Sequence, residues 1–106
     1  MLPTASLAPP GKRHAILREV GLRDGLQSLA SLLPTAHKTA WVDAAYAAGQ
    51  REIEVGSFVP ARLLPQLADT AEVLAHAKTR PGLFASVLVP NLKGAERALE
   101  CGAAWR

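Results

Sequence analysis

A chain of 106 residues, 49% hydrophobic and 20% charged, has ordinary globular composition, which argues against a disordered or fibrous protein. The net charge is +3, but Lys and Arg are scattered and never form a block, so no nucleic-acid partner is expected. The one cysteine, Cys101, excludes an intrachain disulfide and a thiolate zinc site, which fits a reducing compartment such as the cytoplasm. No apolar run approaches the roughly 20 residues that a membrane helix requires, so no membrane association is expected.

Residues 1–13 lack the apolar core of a secretory signal and read as a flexible leader, with residues 14–106 as one domain. Ala15 to Leu22 is a short, mostly apolar run closed by Arg23–Asp24–Gly25, the pattern of a strand and its turn. Pro34 and Thr35 mark a helix start, with Thr35 as N-cap. The helix runs to about Ala48, its apolar face made by Trp41, Ala44, Ala45 and Ala48, and Gly49 stops it.

Glu52 to Val55, with Gly56 and Ser57 behind it, reads as a second strand, and Phe58–Val59–Pro60 as a loop. A helix from Pro65 to about Ala77 follows, carrying Leu67, Ala71, Leu74 and Ala75 on one side, until Pro81–Gly82 breaks it. Leu83 to Val89 is a third strand, and Leu92 to Cys101 a third helix stopped by Gly102. Three tandem strand–helix units imply an α/β fold with a parallel sheet, either open and doubly wound or a sector of a barrel. No glycine-rich phosphate loop follows any strand.

Both architectures place functional loops at the carboxyl ends of the strands. Asp24 is an oxygen ligand suited to magnesium or manganese, and Arg23 brings a permanent charge and a fork of donors for a carboxylate or enolate oxygen. Adjacent side chains face one site only if the strand ends there, a bend that Gly25 permits. The competing reading is a surface ion pair. Glu54 lies in a strand buried on both faces and needs a cation, for which Arg23, Arg18 or a metal-bound water are candidates; a structural ion pair and a chemical role are both open, as they are for Glu19.

Gln27 is either a substrate hydrogen-bonder or a solvated loop residue. Ser57 has no histidine in a local motif, and His14, His37 and His76 have no metal-ligand spacing and read as surface or helix residues. Cys101 reads as a small buried thiol, and Lys93 as an exposed lysine that can also meet a phosphate.

The segments EVGLRDGLQS, AGQREIEVGSFVPARLLPQLADTAEVL and SVLVPNLKGAERALECGA, in that order, resemble the opening third of the hydroxymethylglutaryl-CoA lyase family, within the metal-dependent TIM-barrel lyases and acyl-transferring synthases. The resemblance implies the first three strand–helix units of a (β/α)8 barrel, left as an incomplete barrel with an open parallel sheet. It implies a divalent-cation-dependent cleavage of 3-hydroxy-3-methylglutaryl-CoA into acetyl-CoA and acetoacetate, as in leucine degradation and ketone-body metabolism. Arg23 would stabilise the enolate or oxyanion oxygen, Asp24 would be the first ligand of Mg2+ or Mn2+, Gln27 would shape the substrate site, and Glu54 would support Arg23 and the metal shell.

The partner implied is an acyl-CoA substrate, with a homo-oligomer in a full-length parent, in the cytoplasm or in the mitochondrial matrix of a eukaryote. The family's His-x-His pair, its ligating Asn and its catalytic cysteine have no counterpart here, and Cys101 is not assigned that role. Ser28 stands where an Asn and an acid often follow RDGLQ, which leaves the acyl substrate open. Since a TIM barrel takes about 250 residues, the chain alone is expected to be inactive. Two other readings stay open: an acyltransferase or aldolase of the same superfamily, and a non-catalytic fragment that associates with a longer relative through its open sheet edge.

Overall fold

The computed structural model describes residues 15–102. The expected leader 1–13, His14 and the last four residues lie outside them. The elements are a π-helical turn at Gly21–Gly25, α1 at Thr35–Ala47, β1 at Glu52–Ser57, a 3-10 turn at Pro65–Leu67, α2 at Thr70–Ala77, β2 at Phe84–Leu88 and α3 at Leu92–Glu100.

Strands β1 and β2 pair in parallel, from Glu52 opposite Phe84 to Ser57 opposite Leu88, and α2 is the crossover between them. Glu54 faces Ser86 while Gly56 faces Val87, so β1 carries one extra residue, Val55, in a bulge. Gly56 is required there, because a Cβ on it would collide with the Thr70 hydroxyl. That hydroxyl clasps the end of β1: it accepts from the Ser57 amide at 3.1 Å and lies 3.1 Å and 2.7 Å from the Ser57 and Leu67 carbonyls, to which it can donate.

The expected first strand is reduced to a single bridge. Glu19 pairs in parallel with Ile53, donating its amide to Glu52 at 2.9 Å and accepting from the Glu54 amide at 2.8 Å. The chain then curls instead of extending, because the amides of Arg23, Asp24 and Gly25 all point at the Val20 carbonyl, at 3.1, 2.8 and 3.4 Å. Leu22 is therefore a fully buried turn residue rather than a strand residue. The sheet is two-stranded with one flanking bridge, where three strands are expected from the sequence.

Helix α1 is rotated from its expected face. Trp41, Ala44 and Ala48 are exposed, and the inward line is Lys38, Val42 and Ala45. Trp41 instead lies over Gly21, where an added Cβ would press on its ring. Pro34, not Thr35, is at the N-cap, and no side chain caps that end. The second helix is also divided: the 3-10 turn and α2 are separated at Ala68–Asp69, with Gln66, Leu67, Thr70, Val73, Leu74 and Ala77 buried and Ala75 exposed. The ends of α1 and α3 match expectation, with Gly49 and Gly102 at φ +100° and +83°.

Ile53 and Val55 of β1, Leu22, Val42, Phe58, Leu67 and Val73 form the centre of the core. Each such side chain contributes about 1.5–3 kcal/mol when fully buried. Helix α3 is seated by Asn91, whose side chain accepts the Gly94 amide at 2.9 Å, and by Gly94, which lies too close to the Phe58 carbonyl to carry a Cβ. Arg97 stacks on Phe58 at 4.9 Å. Cys101 is half-buried against the core instead of fully buried, and its thiol is free. Among the described residues, no helix is long and apolar enough to cross a membrane.

Candidate active site

The π-helical turn presents Arg23 toward β1, where Nε donates to Glu54 Oε1 in an ion pair. The sequence leaves Arg23, Arg18 and a metal-bound water as partners for Glu54; the structure selects Arg23, while Arg18 lies 3.2 Å from Glu52. Both partners are largely sequestered, with side-chain exposures of 21% for Arg23 and 12% for Glu54, so their attraction is poorly screened. Glu19 is a structural residue here, its Oε1 accepting the Gly21 amide at 2.7 Å.

With Nε committed to Glu54, the Arg23 Nη1 atom lies 3.4 Å from Asp24 Oδ1 and 3.5 Å from Gln27 Oε1. Asp24, Gln27 and Glu54 therefore converge on the one guanidinium of Arg23. They converge because the turn is π-helical: Arg23 and Asp24 lie side by side on it rather than on opposite faces of a strand. Gly25 is not the cause of the bend, since it has no positive φ and open space where a Cβ would sit. π-helical turns recur at functional sites because they redirect side chains in this way.

Asp24 has a side-chain exposure of 65% and meets Arg23 Nη1 only at a long 3.4 Å, so its carboxylate is open to solvent. Its hard carboxylate fits one ligand of a divalent cation. Among the described residues, no group of three or more His, Cys, Asp or Glu side chains could hold a metal ion.

Sequence reasoning missed the groups that hold this corner in place. Lys38 is only 2% exposed, and its Nζ donates to Asp69 Oδ1 and to the Gln66 carbonyl, both at 2.5 Å. The other Asp69 oxygen accepts from the Thr35 hydroxyl at 2.6 Å. Gln66 reaches back from the 3-10 turn, its amide nitrogen 3.0 Å from the carbonyls of both Gln27 and Leu29. The available signal was a lysine at the i−4 position from Val42, followed by a Gln and an Asp in PQLAD.

The remaining candidates do not join the site. Ser57 is buried and fastened to Thr70; His37 and Lys93 are exposed. His76 lies between α1 and α2, with Nε2 2.8 Å from Asp43 Oδ1, the same oxygen that accepts from Arg80 Nε at 2.7 Å. The Arg80 hydrogen bond, and after it the His76 contact, holds the Asp43 carboxyl below its ordinary value of 3.8. A cleft of about 610 Å³ lies elsewhere, along β2 between α2 and α3, where Leu74, Ala85, Val87 and Ala98 contribute to its lining.

Over 86 residues the chain is 51% identical to the 3-hydroxy-3-isohexenylglutaryl-CoA/hydroxymethylglutaryl-CoA lyase of Pseudomonas aeruginosa, an alignment covering 81% of this chain and 29% of that protein. Over about four fifths of its length the chain matches hydroxymethylglutaryl-CoA lyases. It superimposes on the crystal structure of hydroxymethylglutaryl-CoA lyase from Pseudomonas aeruginosa with a TM-score of 0.78 at 50% identity, covering 83% of this chain and 29% of that one. An HMG-CoA lyase from Acinetobacter baumannii, solved with coenzyme A and 3-methylmalate, gives a TM-score of 0.76 at 38% identity, covering 83% and 29%. The chain thus spans less than a third of the length of these lyases. No family model matches it.

Proposed function

We propose that this chain supplies the arginine–aspartate corner of a divalent-metal-dependent lyase acting on 3-hydroxy-3-methylglutaryl-CoA, which yields acetyl-CoA and acetoacetate. The observation that supports this best is the geometry of Arg23: Glu54 takes Nε and so fixes the plane of the fork, while Nη1 is left beside Asp24 and Gln27. A guanidinium held in this way is a preorganised positive charge, suited to stabilise the oxygen on which charge gathers as a carbon–carbon bond breaks.

Asp24 would contribute one ligand to Mg2+ or Mn2+, a cation that supplies Lewis acidity toward the substrate hydroxyl. Gln27, exposed at the rim, would hydrogen-bond the substrate carboxylate or carbonyl. Glu54 would act through Arg23, holding its charge in place without touching substrate. One carboxylate does not make a metal centre, so the 106-residue chain by itself is expected to release no acetoacetate. Turnover by the purified chain, dependent on Mg2+ or Mn2+, would refute that expectation. The compartment in this reading is the cytoplasm, or the mitochondrial matrix in a eukaryote, and any homo-oligomer belongs to the longer protein.

The test is a chimera in which residues 15–102 replace the matching segment of the Pseudomonas aeruginosa lyase. Metal-dependent acetoacetate release is expected, with a fall in kcat of about a hundredfold or more for Arg23→Gln, the scale on which loss of an oxyanion donor acts. A folded chimera without cleavage would count against the lyase reading, and formation of a condensed acyl product would favour an acyltransferase or aldolase of the superfamily.

A second reading has its own observation. Within the described residues β2 pairs only with β1, and the Ser86 hydroxyl beside the β2 cleft is buried without a hydrogen-bond partner. An extended segment of a longer relative added along β2 would cover this edge. Co-purification with such a relative supports association, and recovery of the monomer alone counts against it.

A further inference from the structure

The Arg23–Asp24 turn is anchored by the buried Leu22 and by the Gly21 amide on Glu19 Oε1. Beyond the three amides aimed at Val20, the segment that follows it, residues 27–33, has almost no internal hydrogen bonding, and residues 27–32 are exposed. Gln27 nevertheless has to reach Arg23 from this segment. What fastens the segment is a side chain from a distant element: the amide nitrogen of Gln66, 3.0 Å from the Gln27 carbonyl and 3.0 Å from the Leu29 carbonyl. One NH2 group thus serves two carbonyls, each with one of its hydrogens.

Gln66 is itself immobilised. It is 9% exposed, and its own carbonyl accepts from Lys38 Nζ, the buried cation that also holds Asp69. A continuous set of polar contacts therefore runs from α1 through Lys38 to the Gln66 backbone, and through the Gln66 side chain to the backbone that carries Gln27. None of these groups touches the face where Asp24 is open.

We propose that Gln66 is a positioning residue for the Arg23–Gln27 corner, its amide setting the place from which Gln27 meets the guanidinium. The functional half of this proposal rests on the lyase reading; the positional half does not. Replacing the donor with an apolar side chain of similar length leaves two carbonyls without their partner, and the loop relaxes toward solvent. Gln27 then withdraws from Nη1, and the fork loses one of the two groups that orient its free edge.

The experiment uses the full chain labelled with 15N and 13C, with Gln66→Met, and Gln66→Glu as a second variant that keeps length and polarity but replaces the donor with an acceptor. The readouts are the Arg23 Nε–H and Gln27 side-chain amide resonances, with the methyl resonances of Ile53 and Val73 as controls for the core. Both variants are expected to shift and broaden the Arg23 and Gln27 signals while the core methyls stay in place. If either folded variant leaves them unmoved, the proposal is overturned.

Titration of the Pseudomonas aeruginosa chimera with 3-hydroxy-3-methylglutaryl-CoA and Mg2+ tests the functional half, with about tenfold weaker binding expected when its transplanted segment carries either Gln66 variant. Equal binding by wild type and variants overturns that half. No binding by the wild type counts against the lyase reading, and the Arg23 signal still decides the positional claim.

Discussion

Glu54 grips Arg23 through Nε alone, which leaves the two Nη groups of the same side chain at the open end of the corner. A carboxylate that paired end-on with both Nη atoms would neutralise the fork; this side-on arrangement orients it and keeps donors for another oxygen. Glu54→Gln keeps the shape and removes the charge, and should cost about 1–3 kcal/mol by urea unfolding. Glu54→Leu strands a largely buried guanidinium and should cost more, about 3–5 kcal/mol. Equal and negligible losses for both would mean that the pair contributes nothing to the fold.

Lys38 is the most deeply placed charge in the described structure, and it serves both Asp69 and the Gln66 carbonyl. Lys38→Met preserves the apolar stem and removes the ammonium, which leaves the Gln66 carbonyl unpaired and Asp69 with Thr35 alone. A loss of about 3–5 kcal/mol in the midpoint-derived stability is expected. Lys38→Met/Asp69→Leu should recover part of it, because the uncompensated carboxylate is then gone.

The clasp between Thr70 and the bulge at Gly56 predicts a coupled pair. Gly56→Ala drives a methyl into the Thr70 hydroxyl and should destabilise by about 1–3 kcal/mol. In Thr70→Ala the obstacle is smaller, so the double variant should be less destabilised than the two single losses added together. Strict additivity in thermal or chemical unfolding would show that the two residues do not meet.

Acid stability should depend on Asp43. Its carboxyl is held below 3.8 in the folded protein, with Arg80 the larger cause and His76 the smaller. The unfolded chain therefore binds the proton more readily, so this contribution is present above the unfolded value and disappears as pH falls through the folded one. Asp43→Asn should flatten the stability profile below about pH 4, and the effect should shrink in high salt because the cluster is at the surface. An unchanged acid limb would remove the cluster from consideration.

The order of elements was legible because turn residues mark it: Gly49, Pro81–Gly82 and Gly102 punctuate the chain where the structure does. The residues of the corner were legible as a grouping, from an Arg–Asp pair at the end of an apolar run and a carboxylate in an apolar strand; their chemistry is part of the proposal. Hidden from the sequence was the way the turn curls. A π-helical turn and a strand end are made from the same apolar run, and only three amides on the Val20 carbonyl distinguish them.

The face of α1 was hidden for a different reason. Trp41 and the alanines make the more apolar stripe, yet the buried stripe contains Lys38, because Asp69 and the Gln66 carbonyl wait for it across 28 to 31 residues of sequence. Partners at that separation leave no periodicity to read. Gln66 was obscured in the same way, being an ordinary polar residue until its two carbonyl partners are brought beneath it.

The position of β1 has a consequence for how the corner moves. Five of its six residues are buried, β2 pairs along one edge, and Glu19 bridges the other. It should therefore open last, its amides exchanging with solvent most slowly, while the Arg23 turn can come away in a much smaller excursion. The acidic half of the ion pair thus sits on a strand held along both edges, and the basic half on a turn anchored chiefly by Leu22. Any adjustment to a ligand has to come from the arginine's side, swinging against a carboxylate that stays still.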